Sequence, residues 1–178
     1  MKKIFLMAAI SAAVFCVPFF GLSQYNNNLG IYAPQESADK LIAFLSANNS
    51  PDLRLNDVNL KAVRDFTRKF KNAGNAKWYQ TSEAFVAQFN SEGIETKVIY
   101  DLNGNWHSML RTYSEDKLLF DVRHIVKSKY YDYDIMVVYE ITHPDNLTYI
   151  LKIEDSKRIK TLRVSNGEME VIGDYIRG

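Results

Sequence analysis

Alternation of apolar and polar residues is the feature that most constrains the fold of this 178-residue chain. Downstream of Gly74, apolar side chains recur at every second position, as in Phe85-x-Ala87-x-Phe89 and Val98-x-Tyr100. A period of two is typical of strands with one buried face. Turn residues separate the runs, among them Asn103-Gly104, and both of these residues tolerate the positive φ of a tight hairpin. Residues 76–111 therefore predict four antiparallel strands joined as a meander.

The same pattern occurs a second time. Further strands are expected at about residues 134–142, 147–154, 157–164 and 168–176. The run Tyr149-x-Leu151-x-Ile153 follows Phe85-x-Ala87-x-Phe89 at an offset of 64 residues, and Asn166-Gly167 follows Asn103-Gly104 at an offset of 63. Chance similarity between two generic hairpins is the alternative explanation. Agreement in order, spacing and turn chemistry favours an internal repeat, with units at about 56–113 and 114–178.

Each repeat begins with a segment of helical period. A helix is expected at about residues 57–72 behind an Asn56 cap, and another at about residues 115–129 behind a Ser114 cap. A helix can cover the apolar face of each four-stranded unit. The predicted fold class is therefore α+β, with two tandem helix–four-strand units forming an antiparallel sheet that has helices on one face.

A further short helix is predicted upstream of the repeats. Ala38, Leu41, Ile42 and Leu45 lie at positions i, i+3, i+4 and i+7, which is the spacing of one helix face. Ser37 is its expected cap, and the turn-forming residues 48–51 end it. Residues 24–55 are thus expected to form an N-terminal arm with a short helix, which is a helical extension of the domain at 56–178.

The first 23 residues have the layout of a secretory signal peptide. Lys2 and Lys3 precede an apolar run from Ile4 to Phe20, and Gly21-Leu22-Ser23 places small residues before a cleavage at Gln24. This predicts an exported protein in the periplasm or outside the cell, with no stable membrane anchor after cleavage. A membrane anchor is the alternative, since the run approaches the minimum length of a span.

Charge and cysteine content exclude several classes of partner and site. The chain has 22 basic and 21 acidic residues, so no long-range attraction draws it to nucleic acid or to anionic lipid. Its one cysteine, Cys16, lies in the predicted signal peptide, and Phe15 occupies the place where a lipoprotein signal needs a small residue. The exported protein is therefore expected to have no disulfide, no thiolate nucleophile and no zinc–thiolate site.

Motifs for catalysis or for metal binding are lacking. His107, His124 and His143 fall on different predicted elements without a local ligand spacing. The run Asp101-x-Asn103-x-Asn105 lacks the glycine and the glutamate that a calcium loop needs at its sixth and twelfth positions. The sequence also has no Gly-x-Ser-x-Gly elbow and no glycine-rich phosphate loop. We therefore expect no enzyme activity, no cofactor and no metal site.

Several motifs carry a resemblance to a known family. Asn75-Ala76-Lys77-Trp78, Phe85-x-Ala87-x-Phe89, Val98-x-Tyr100-Asp101 and Gly104-x-Trp106 resemble the PepSY-like family of β-lactamase-inhibitor-like exported bacterial proteins. The resemblance runs from about Leu60 to the C terminus. The chain departs from the family in lacking a proline after Tyr130-Tyr131 and an aspartate in the turn at Asn166-Gly167. The resemblance implies an envelope module that binds proteins, inhibitor-like or chaperone-like, and implies no demonstrated inhibition of a lactamase.

The fourth predicted strand supplies the candidate binding face. Alternation places Trp106, Ser108 and Leu110 on one side of this strand, and the apolar members favour packing against the helices. His107, Arg111 and Tyr113 are then expected on the open side, near the junction of the two units. Arg and Tyr often dominate protein interfaces.

The leading hypothesis is a noncatalytic module that binds another envelope or secreted protein through the exposed sheet face. Two alternatives stay open. One is the binding of a small apolar ligand or a glycan between the sheet and the helices, and the other is a hydrolase whose residues come together only in the fold. A solvated face without a partner is the simplest reading of the same residues.

Overall fold

A computed structural model describes residues 52–177. The predicted signal peptide at residues 1–23 lies outside the described residues. The predicted arm and short helix at residues 24–55 also lie outside them, except for the last four residues of that range. The described chain therefore begins just before the domain predicted at residues 56–178.

Eight strands follow one another along the described chain, and each pairs with the next in an antiparallel manner. Their bounds are β1 Lys77–Gln80, β2 Ala84–Ser91, β3 Ile94–Asp101, β4 Trp106–Tyr113, β5 Asp134–Thr142, β6 Leu147–Glu154, β7 Arg158–Ser165 and β8 Glu168–Ile176. Helix α1 (Leu60–Lys69) precedes β1, and helix α2 (Phe120–Lys129) connects β4 to β5. A short 3₁₀ turn precedes each helix, at Leu55–Asp57 and at Glu115–Lys117.

The predicted α+β fold class is wrong. The described chain is mainly one continuous eight-stranded antiparallel sheet, and its two α-helices have only ten residues each. The helices are shorter than predicted because the backbone is extended at Val58 and Leu118, directly after each 3₁₀ turn. Strand β4 pairs with β5, with Tyr113 opposite Val138, so the sheet continues across the predicted boundary between the units. The internal repeat itself stays a prediction.

Both helices pack on the same face of this sheet. Ala62 and Phe66 of α1 belong to one buried cluster with Trp78, Val98 and other residues of β1–β3. The second cluster combines α2 with β4–β7, and it contains Val122, Val126, Val138, Leu151 and Leu162. Residues directly opposite each other across a strand pair share a face, and the pairs Val98–Met109 and Met109–Thr142 connect the two clusters.

The opposite face of the sheet carries a third apolar cluster, although neither described helix lies on it. We call this side the helix-free face. Its cluster consists of Tyr79, Ala84, Val86, Ile99, Leu110, Ile141 and Ile150, with Tyr139 and Ile172 at its border. The seven cluster members are all 9% exposed or less. Antiparallel sheets commonly present a solvated polar second face, so a buried apolar cluster here is unexpected.

Candidate binding surface

Strand β4, which supplies the predicted binding residues, contains a β-bulge. Ile99 pairs with Ser108, but the next residue, Tyr100, pairs with Trp106, which leaves His107 as an extra residue. A bulge interrupts the alternation of side chains, because two residues on one strand then oppose one residue on the other. Trp106 therefore shares the helix-covered face with Met109, and Leu110 belongs to the helix-free face.

The predicted placement of His107, Arg111 and Tyr113 together on the open side is wrong. Tyr113 is 5% exposed and packs in the cluster beneath α2. Arg111 lies two residues away and on the same face, opposite Glu140 of β5. The physical reason is the bulge at His107, which the alternating pattern does not reveal. A role of these three residues in binding stays a prediction.

Arg111 and Tyr113 meet at a carboxylate that the sequence reasoning missed. Arg111 Nη1 donates to Glu140 Oε1 at 3.0 Å, and the Tyr113 hydroxyl donates to Glu140 Oε2 at 2.5 Å. The guanidinium carbon also lies 5.6 Å from the centre of the Tyr113 ring. Burial raises the pKa of the Tyr113 hydroxyl, and the hydrogen bond to Glu140 raises it further, so the hydroxyl stays protonated as a donor. We call this group the junction network.

The junction network is internally satisfied. Glu140 is 8% exposed, and each of its carboxylate oxygens accepts a hydrogen bond from the network. A buried carboxylate with both oxygens bonded is a stable arrangement, whereas an unpaired one is costly. Glu140 gives no sequence signal beyond being one acidic residue in an apolar strand. Only the register of β4 against β5 shows that it faces Arg111.

The structure brings together two histidines that are far apart in the sequence. The rings of His107 and His143 lie 5.9 Å apart at an angle of 87°. Burial lowers the pKa of both imidazoles, and charge repulsion from His107 lowers that of His143 further. His124 instead stacks on Phe120 of α2. Among residues 52–177, no three His, Cys, Asp or Glu side chains are arranged to hold a metal ion.

Charged side chains flank the cluster of the helix-free face. Lys97 is 4% exposed, and its Nζ lies 3.7 Å from Glu95 Oε1. Burial lowers the pKa of the Lys97 ammonium, while the Glu95 carboxylate opposes that shift. On β7 and β8, Arg163 forms an ion pair with Glu170. The helix-free face thus combines an apolar centre with charged side chains of both signs.

An open groove of about 600 Å³ lies beside β1 and the adjoining parts of β2 and β3. Aromatic and polar residues line it, namely Asp52, Asn75, Lys77, Trp78, Tyr79, Gln88, Phe89, Asn90 and Glu95. Trp78 is 2% exposed and Tyr79 is 9% exposed, so little of either ring is open for a ligand to stack on. Burial, with the Glu95 charge, also raises the pKa of Tyr79 to about 12, so its hydroxyl is neutral at physiological pH.

Comparison with solved structures identifies the same fold in bacterial proteins. A DUF2874 family protein from Bacteroides ovatus superposes with a TM-score of 0.55 at 16% identity, over 65% of this chain and 88% of that one. A BLIP-like protein from Bacteroides fragilis gives a TM-score of 0.52 at 22% identity, over 66% of this chain and 87% of that one. A candidate periplasmic protein from Bacteroides eggerthii gives a TM-score of 0.53 at 14% identity, over 67% of this chain and 88% of that one.

These likenesses establish a fold shared with a BLIP-like protein. No protein-family model and no curated protein matches the chain, so the resemblance to the PepSY-like family stays a prediction. At identities of 14–22%, the solved structures establish the architecture and leave the activity open. Within residues 52–177, no helix has the length and apolarity needed to cross a membrane.

Proposed function

We propose that this chain is an exported, noncatalytic module that binds another envelope or secreted protein through its helix-free face. The observation that carries the proposal is the apolar cluster on the sheet face opposite both helices. A sheet face with an apolar centre packs against a further layer, and we propose that the partner adjoins this face. The charged residues Lys97, Glu95 and Arg163 beside the cluster would add selectivity for the partner.

Export is supported by two separate observations. The first 23 residues have the charged, apolar and small-residue regions of a signal peptide. In addition, one protein of the same fold is named as a candidate periplasmic protein. The description of one solved neighbour as BLIP-like likewise supports the proposal of protein binding for this chain.

The chemistry of the polar clusters supports a noncatalytic role. The side chains of the junction network bond to one another instead of converging on a cleft. The His107 and His143 rings lie against each other, and His107 Nδ1 lies 3.2 Å from the hydroxyl of the adjacent Ser108. A hydrolase would require a nucleophile, a base and an orienting group within hydrogen-bond reach.

A pair of matched substitutions tests the proposed surface. Thr112 lies on the helix-free face between Glu95 and Tyr139, and Thr67 lies on the exposed side of α1. A partner captured from an envelope extract would be purified and titrated against both arginine variants. We expect Thr112→Arg to weaken binding at least tenfold and Thr67→Arg to leave it unchanged. Equal affinities, or no partner captured by the wild type, would overturn the proposal.

The groove beside β1 supports a second candidate function, the binding of a small ligand or a glycan. Its volume of about 600 Å³ lies within the range of ligand sites. The amides of Asn75, Gln88 and Asn90 are suitable partners for sugar hydroxyls. Ligand-detected NMR with an oligosaccharide library tests this candidate. Two results together would favour this second function. Asn75→Ala and Asn90→Ala would abolish oligosaccharide binding, and the wild type would capture no protein partner.

A further inference from the structure

We propose that the outer surface of the two helices docks on a membrane surface rich in anionic phospholipids. Both helices pack on one face of the sheet, so their outer sides form the surface opposite the helix-free face. We call it the helix-layer surface. At three equivalent positions, each helix and the turn after it present an exposed side chain there, namely Leu60, Arg64 and Lys71 for α1, and Phe120, His124 and Tyr131 for α2.

Basic side chains are concentrated in these two segments. The whole chain has 22 basic and 21 acidic residues, but residues 60–71 and 120–131 together hold eight of the basic residues and only two of the acidic ones. The balanced total therefore conceals a positive helix layer and a net negative remainder. Basic side chains held close to an anionic membrane surface are attracted to its headgroups. The net charge of the whole chain, from which no such attraction is expected, does not reveal this segregation.

The charges of α1 point away from the sheet. Asp65 is the one acidic residue of this helix, and it lies at the side of the helix, where it accepts from Arg68 Nη2 at 2.7 Å and from the Tyr100 hydroxyl at 3.2 Å. Within residues 52–177, no carboxylate forms an ion pair with Arg64 or Lys71. Both of these side chains are exposed. They are therefore suited to contact the phosphates of a lipid surface.

The corresponding positions of α2 carry aromatic side chains. Phe120 is 76% exposed and Tyr131 is 81% exposed, and Leu119 beside Phe120 is 58% exposed. The ring of His124 stacks on that of Phe120, with centroids 6.1 Å apart and planes at 10°. Exposed apolar side chains beside basic ones are typical of surfaces that enter a membrane interface. Tyrosine is favoured at the level of the headgroups, because its ring is apolar and its hydroxyl is polar.

The combination of the two helices favours a lipid surface over an acidic protein. An acidic protein would match the basic side chains of α1, but it would leave Phe120 and Tyr131 without apolar cover unless it also supplied a matching pocket. A bilayer interface supplies both kinds of contact, because acyl chains lie within about 5–10 Å of the headgroups. Docking in this orientation turns the helix-free face away from the membrane. The docking itself is independent of the proposed protein partner.

Charge reversal on opposite faces of the sheet tests the electrostatic part. The protein is purified in its exported form, without the predicted signal peptide, and sedimented with phosphatidylcholine vesicles that contain about 30% phosphatidylglycerol. We expect Arg64→Glu/Lys71→Glu to weaken binding by about tenfold or more, because two attractions become repulsions. Lys77→Glu/Lys152→Glu changes the net charge equally on the helix-free face and should weaken binding less than about threefold.

Three results of this experiment would overturn the proposal. They are equal losses in the two double variants, no sedimentation of the wild type with the anionic vesicles, and equally tight binding of the wild type to vesicles of phosphatidylcholine alone. The second result would leave an acidic protein as the partner for the basic side chains of α1.

A fluorescent label tests which surface faces the membrane. The exported form is expected to contain no cysteine, because Cys16 lies in the predicted signal peptide. A label whose emission rises in apolar surroundings is attached at Tyr131→Cys or, as the control, at Lys152→Cys. We expect the anionic vesicles to raise the emission several-fold at position 131 and to leave it unchanged at position 152. No rise at position 131, or an equal rise at position 152, would overturn the docking. No protein partner is present in either experiment, so their failure leaves the proposed function to its own titration.

Discussion

At the scale of single residues, two glycines have the same backbone conformation but differ in what packs against them. Gly104 has a φ of +78° and Gly167 a φ of +80°, a region that L-residues with a side chain rarely adopt. A Cβ atom at Gly104 would lie 2.5 Å from Asn59 Oδ1 and 2.9 Å from Ala62 N of α1. At Gly167 it would meet nothing within 4 Å. Gly104 thus lets α1 approach the turn between β3 and β4.

We expect Gly104→Ala to be more destabilising than Gly167→Ala. Both substitutions carry a conformational cost of about 1 kcal/mol for a positive φ. Gly104→Ala adds steric overlap with the backbone of α1, which costs about 1–3 kcal/mol more. Urea denaturation of both variants measures the free energies of unfolding. The same loss in both would show that α1 does not pack against this turn.

The junction network gives a second prediction at this scale. Tyr113→Phe keeps the ring and removes one donor to the buried Glu140 carboxylate, so we expect a loss of about 1–3 kcal/mol in the free energy of unfolding. Tyr131→Phe is the matched control, because Tyr131 is 81% exposed and should change stability by less than about 0.5 kcal/mol. Chemical denaturation of the two variants measures both changes in the free energy of unfolding. A Tyr113→Phe variant as stable as the control would mean that Glu140 does not depend on this hydroxyl.

The two neighbouring histidines predict a dependence of stability on pH. Their pKa values lie below the ordinary 6.5 in the folded state, so the unfolded chain binds more protons at mildly acidic pH. Stability is therefore expected to rise with pH and to be lost as the pH falls below about 6.5. Melting curves between about pH 7 and pH 5 test this. The double variant His107→Gln/His143→Gln should show a weaker dependence of melting temperature on pH. The same dependence as in the wild type would contradict its assignment to these two histidines.

At the scale of elements, the sequence predicted the strands better than the faces they present. Period-two runs and turn residues located all the strands of the sheet, because both signals are local. The bulge at His107 was not predictable, because it depends on how β3 pairs with β4. Arg111 and Tyr113 consequently lie on the helix-covered face. Helix bounds were predicted too widely, because the expected caps Asn56 and Ser114 lie at the 3₁₀ turns that precede α1 and α2.

The start of α1 provides a prediction for an element. Asn59, and not the predicted Asn56, caps α1: its Oδ1 accepts from Lys61 N at 2.9 Å, and its Nδ2 donates to Leu102 O at 3.1 Å. We expect Asn59→Ala to cost about 1–2 kcal/mol. Ser114, the predicted cap of the second helix, makes no such bond to the helix backbone. Ser114→Ala should thus change the melting temperature much less, and equal losses would contradict this account of the cap.

At the scale of the whole molecule, the sheet is continuous and its two faces differ. The sequence predicted a helix for each half and an open second face. It did not predict a buried apolar cluster on that face, since each of β1–β6 contributes only one or two residues to it. The cluster becomes visible only when the register across the whole sheet is known.

Site-specific photo-crosslinking in intact cells tests the helix-free face as a docking surface most directly. A photoreactive residue at Lys152 places the probe on that face beside Ile150, and the same residue at Arg64 places it on the exposed side of α1. We predict covalent adducts with a second protein from position 152 and none from position 64. Adducts from position 64 alone, or equal yields from both positions, would contradict the assignment of the binding surface.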